Sequence, residues 1–170
     1  MEALRSLLED LEVAPVYETE PVLQSPDAAR AHPPYLNTVA AGRLREPIAA
    51  RSCRARLTAL ARAAGRGPGR GPDGQPLPRP LDVDLLICGG LEIDLRELED
   101  PAAAALPSRW PGAIRVPHPR LRERLFVLAP LHDLAPGLAV PPDGQPVASL
   151  LAALEGQPRV RRIGSRASGR

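Results

Sequence analysis

Leu4, Leu7, Leu8 and Leu11 fall at i, i+3, i+4 and i+7, which predicts an amphipathic helix over residues 2–12. Residues 13–22 (VAPVYETEPV) alternate weakly and predict a strand that Pro21 ends. A proline-bearing loop over 23–34 leads to a second strand at 35–45 (YLNTVAAGRLR), with Tyr35, Asn37 and Val39 on one face. The helical period returns over 47–64, where Ala49, Cys53, Leu57, Leu60 and Ala64 form a stripe between Pro47 and Gly65. The clearest alternation lies at 79–90 (RPLDVDLLICGG): Leu81, Val83, Leu85 and Ile87 face one way, and Gly89-Gly90 offers a turn into a short further strand. Residues 94–113 read as an insertion. Residues 116–136 open with Pro-His-Pro and become helical, in two pieces parted near Pro130, and 146–155 predict a short helix. Helices placed between antiparallel-style strands predict an α+β sandwich.

Composition narrows the function classes. The 170 residues make one domain with enough material for a core, followed by a basic tail at 156–170 expected to be disordered. No apolar run reaches transmembrane length and no secretory leader is evident, so a cytoplasmic protein without a membrane partner is expected. Cys53 and Cys88 read as reduced core thiols rather than a disulfide framework. A net charge of +2 gives no footing for a polyanion partner. All 22 basic residues are arginine, which excludes a Walker-type phosphate loop because that loop needs its lysine. The Arg/Gly/Pro loop at 65–80 is open to two readings, a mobile phosphate-handling lid or a polar linker.

Candidate chemistry centres on Asp82 and Asp84. Two positions apart on a strand, their carboxylates point the same way, roughly 6.5–7 Å from one another along the chain. They repel unless a cation lies between them, and Mg²⁺ typically takes one or two protein carboxylates and completes its shell with water and phosphate oxygens. Arg79, between Pro78 and Pro80, adds a planar fork suited to phosphate. The competing reading is a solvent-facing edge strand that happens to carry two acids.

Five segments carry a resemblance to one family. PRPLDVDLLICGG (78–90) and VPHPRLRERLFVLAPLHDLAP (116–136) resemble the P-R-x-L-D-L-D-L strand and the V-P-H-containing helix of 6-hydroxymethyl-7,8-dihydropterin pyrophosphokinase, a folate-pathway enzyme. PPYLNTVAAGRL (33–44), AAGR (63–66) and YETEPV (17–22) resemble three more of its segments in the same order, so that residues 1–155 form the expected pyrophosphokinase-like domain. The resemblance implies a ferredoxin-like α/β sandwich with a mostly antiparallel sheet, and transfer of pyrophosphate from ATP to the pterin hydroxymethyl group with release of AMP. It implies that Asp82 and Asp84 hold two Mg²⁺ ions, that Arg66 and Arg79 reach the phosphates, and that His118, Arg124 and Leu85 lie on the ATP side. Tyr35 and Phe126 would stack on the pterin, Asn37 would bond its edge, and Thr19 would line the same pocket. A monomeric enzyme with small-molecule substrates and no nucleic-acid partner is the expectation.

The chain departs from the family pattern in places. Met1 stands directly before the first helix, where the family has a strand and a G-S-N-L-G turn, so the expected domain lacks that first strand and a start upstream is expected. Ala61 replaces a common glutamate, and Gln75-Pro76 stand in place of Arg-Trp before Pro78. A relative that binds ATP or pterin without turnover is the alternative these changes leave. An α+β nucleic-acid module is the third class; the low charge and the lack of aromatics interleaved on a strand argue against it.

Overall fold

The computed structural model describes residues 2–20, 34–65, 80–94, 115–154 and 160–164. Helices and antiparallel ladders alternate along the chain, the α+β organisation that the sequence predicts. The chain divides into two compact units, one formed by Met1–Pro47 with Arg120–Arg170 and the other by Ile48–Pro119.

The first unit opens with a short helix α1 (Glu2–Arg5) and strand β1 (Leu8–Val13), not with the helix predicted over 2–12. The leucine spacing satisfies a helix, but Leu11-Glu12-Val13 also alternates. Pairing of β1 with β4 (Ala40–Leu44) decides in favour of the strand. The ladder carries a bulge between Glu9 and Glu12, where Asp10 takes a left-handed φ of 51°. Gly42 lies against the bulge: a Cβ there would stand 2.8 Å from the Glu9 carbonyl oxygen. Arg43 ties the bulge down through Glu9 (2.7 Å) and Asp10 (3.0 Å).

Strands β2 (Tyr17–Thr19) and β3 (Tyr35–Asn37) pair antiparallel, Tyr17 opposite Asn37 and Thr19 opposite Tyr35. The single strand expected at 35–45 is thus two, β3 and β4. Between them the Thr38 hydroxyl donates to the Ala14 carbonyl (2.9 Å) and Ala14 N–H donates to Val39 (2.8 Å). These bonds hand the chain from one ladder to the other.

A 3₁₀ turn (Leu121–Glu123) precedes α3 (Leu125–Leu134). The two-piece helix was expected to part near Pro130, but the break falls at Arg124, whose φ/ψ of −110°/104° is extended. Pro130 sits inside α3 and is fully buried. An interior proline costs about 3 kcal/mol, while each large buried apolar side chain returns about 1.5–3 kcal/mol. Val127, Leu128 and Leu131 around it therefore outweigh the loss. The hairpin β7 (Ala139–Val140) and β8 (Gln145–Pro146) leads into α4 (Val147–Ala152), whose Val147 and Leu150 complete this core with Leu121 and Val140. Strand β9 (Arg161–Arg162) pairs with β2. The tail expected to be disordered therefore contributes an ordered strand, because the β2 edge offers it unpaired backbone groups.

In the second unit, α2 (Ala50–Ala63) buries Cys53, Leu57 and Ala61, spaced i, i+4, i+8. Ala49 and Ala64, expected on this stripe, are exposed, and Gly65 at φ 92° ends the helix. Residues 81–88 are not a strand. Burial alternates over 81–84 and is intermediate throughout 85–88, and the described residues do not give this segment the ladder that a strand needs. Among the described residues, this segment's backbone bond to another segment is the one from His118 N–H to the Leu86 carbonyl (2.8 Å). Strand β5 (Ile93–Asp94), expected after Gly90, pairs with β6 (Arg115–Val116). The expectations for 23–33, for the 66–79 loop and for 95–113 fall outside the described residues.

Candidate active site

Asp82 and Asp84 are exposed, while Leu81 and Val83 beside them are half-buried. The apolar positions of the alternation thus seat the segment and leave both carboxylates on its open side. β6 delivers the histidine. Val116 is buried, its pairing with Ile93 fixes the register, and Arg115 locks the ladder through Asp94 (2.6 Å). Pro117 has no N–H to offer, and the next donor, His118 N–H, bonds Leu86. With its backbone held there, the imidazole reaches back two residues, placing Nε2 3.9 Å from Asp84 Oδ2. The His118 side chain is 19% exposed and that of Asp84 58%, so the imidazole is the seated partner and the carboxylate reaches solvent. At that separation the contact is electrostatic rather than a hydrogen bond. Leu85 lies next to the pair, half-buried.

The donor set constrains which ion could bind. No group of three or more His, Cys, Asp or Glu side chains able to hold a metal lies among the described residues. A closed zinc site is therefore not formed by them. Two open carboxylates do suit Mg²⁺, which keeps most of its shell for water and phosphate.

The first unit brings together the residues expected at the pterin. Asn37 Nδ2 donates to Thr19 Oγ1 (2.9 Å) and lies 3.4 Å from the Tyr35 carbonyl, which sets the orientation of the amide. Tyr35 is 47% exposed, so it is not a core aromatic. α3 packs against both β2 and β3 and carries Phe126, half-buried. The Arg124 guanidinium lies over the Phe126 ring, 5.5 Å from its centroid, a cation–π pair. Two residues expected on different substrates are thus joined to each other. Arg66 and Arg79 lie outside the described residues.

Tyr17 has a role that sequence reading does not assign. Its hydroxyl donates to Asp133 Oδ2 (2.9 Å), tying β2 to the end of α3. Burial first, and the hydrogen bond to Asp133 second, push the phenol above its ordinary value. A partner 116 positions away leaves no local signal.

An α+β protein with two exposed carboxylates on one segment, and an amide–hydroxyl pair joining two strands beside an exposed aromatic, is the class these positions define. The family description 7,8-dihydro-6-hydroxymethylpterin-pyrophosphokinase (HPPK) matches residues 1–136, and the chain belongs to this family. A 2-amino-4-hydroxy-6-hydroxymethyldihydropteridine pyrophosphokinase of Pseudomonas aeruginosa is 41% identical over 76 residues. That match takes in 45% of this chain and spans 36% of the relative's length.

Proposed function

We propose that this protein transfers pyrophosphate from ATP to the hydroxymethyl group of 6-hydroxymethyl-7,8-dihydropterin, releasing AMP, as a step of folate biosynthesis. Membership of the pyrophosphokinase family carries the reading, and the paired carboxylates at Asp82 and Asp84 support it most directly. With it goes the family's ferredoxin-like sandwich as the proposed architecture.

Asp82 and Asp84 would hold Mg²⁺, two ions in this reading, which on binding neutralises the ATP phosphates and orients them for in-line attack. His118 Nε2 lies 3.9 Å from Asp84 Oδ2, so the imidazole would help to hold that carboxylate's orientation. Leu85 would lie against the nucleotide, and Arg66 and Arg79 would meet the phosphates. The Arg124 guanidinium is held over Phe126, which places a positive charge beside one of the proposed pterin faces. Asn37, its amide fixed by Thr19, presents a defined edge for the pterin's donors and acceptors, with Tyr35 and Phe126 as ring faces. Little covalent work falls to the protein; positioning and charge neutralisation suffice.

The test is an AMP-release assay with the metal and the pterin each left out in turn. Asp82→Asn or Asp84→Asn is expected to lower turnover by at least about a thousandfold. Both positions are exposed, so unfolding should be unchanged within about 0.5 kcal/mol. Turnover that survives both substitutions would remove the carboxylates from the mechanism. ATP and pterin binding without AMP formation would select the non-catalytic relative.

A further inference from the structure

β9 lies beyond the residues that the family description covers, yet it completes the sheet carrying the proposed pterin residues. The sheet order is β3-β2-β9, with β2 in the middle. Arg162 stands opposite Tyr17 and Arg161 opposite Glu18, and Ile163 N–H donates to the Val16 carbonyl (2.9 Å). Arg161 adds a forked contact to Glu18 Oε1, 2.6 Å from Nη2 and 3.2 Å from Nε. Beyond it, a Cβ added at Gly164 would stand 3.7 Å from Val16. β2 therefore has a partner on each side.

We propose that β9 is a positioning strand for pterin recognition: it pins β2 so that Thr19 stays bonded to Asn37 and the Asn37 amide keeps the orientation the ligand needs. The proposal rests on the reading of Thr19, Asn37 and Tyr35 as the pterin site. β2 and β3 are three residues each, and a two-stranded ribbon of that length is marginal in water, whereas a third strand gives independent stability. The Tyr17–Asp133 bond fixes one end of β2 to α3, and β9 holds its open edge. Loss of β9 would leave Thr19 free to drift along the edge and the Asn37 amide free to turn. A fixed amide loses no rotamer freedom when the ligand binds.

Wild type, Ile163→Pro, Arg161→Glu, the exchange of Glu18→Arg with Arg161→Glu, and Asn37→Ala would be compared in the full chain. The readouts are dihydropterin affinity by fluorescence titration, the two Michaelis constants and kcat. Ile163→Pro removes the donor to Val16 and should weaken pterin binding about fivefold, the usual worth of one hydrogen bond, with the KM for ATP and kcat unchanged. Arg161→Glu should weaken it about two- to threefold, and the charge exchange should restore it. A general loss of structure would move both Michaelis constants and would not be rescued by the exchange. Wild-type pterin affinity in both Ile163→Pro and Arg161→Glu, with Asn37→Ala impaired, would overturn the role of β9 alone. No effect of Asn37→Ala, or no pterin binding by wild type, would overturn the site reading and the proposal with it.

Discussion

Asp143 accepts from both terminal nitrogens of Arg122, whose Nη2 also donates to the carbonyls of Val140 (3.0 Å) and Pro141 (3.1 Å). One guanidinium thus joins the turn before α3 to the β7–β8 hairpin. The hydrogen bond from Arg122 holds the Asp143 carboxyl at about 2, below its ordinary 3.8. A depressed folded value means the contribution to stability is complete above the unfolded value and is lost as pH falls through the folded one. Thermal unfolding should therefore lose midpoint between pH 4 and pH 2, and Asp143→Asn should flatten the part of that slope owed to this residue; an unchanged slope would refute the linkage. At Ala61 the residue and its environment agree. The side chain is fully buried, so the glutamate common at this position in the family would have to lose its hydration here. Ala61→Glu is expected to cost about 3 kcal/mol or more in a denaturant titration, and a cost below 1 kcal/mol would show that the site opens to water. The exposure of Asp82 and Asp84 between half-buried Leu81 and Val83 follows the alternation of acids and apolar residues in the sequence. The Arg124–Phe126 pair was less legible: spacing places the two residues near one another but does not say that the cation will cover the ring.

Elements were misread where one stretch fits two periods. Residues 8–13 carry both a leucine stripe and an alternation, and a distant partner, β4, selects the strand. Conversely, 81–88 carries an alternation of residue types that burial follows only over 81–84, and without a ladder its backbone does not form a strand. α2 and α4 were legible because long or well-bounded apolar patterns leave little choice, even though Ala61 rather than Ala64 completes the buried stripe of α2. The β1–β4 ladder makes its own prediction. Gly42→Ala places a Cβ against backbone that cannot swing aside and should cost about 1–3 kcal/mol. Equal stability of the variant in chemical unfolding would mean that the bulge is absent. In α3, Leu128 is fully buried, and Leu128→Ala should cost about 2–5 kcal/mol by the same measurement. A cost under 1 kcal/mol would show that α3 is not the centre of the first unit's core.

For the whole molecule, the family follows from short stretches of sequence in order, and the two compact units show where those stretches go. Thr19, Tyr35, Asn37, Arg124 and Phe126 belong to the unit formed by Met1–Pro47 and Arg120–Arg170; Asp82, Asp84, Leu85 and His118 belong to Ile48–Pro119. Among the described residues no helix is long and apolar enough to cross a membrane. The β9 strand was illegible because two arginines in a basic tail have no periodicity to read; only the edge of β2 gives them an address. The most direct measurement is AMP release from ATP by this chain, with Mg²⁺ and with 6-hydroxymethyl-7,8-dihydropterin, alongside Asp82→Asn. The account predicts AMP formation that stops when either the metal or the pterin is withheld and that falls at least about a thousandfold in the variant. AMP formed equally without the pterin, or undiminished in Asp82→Asn, would contradict it.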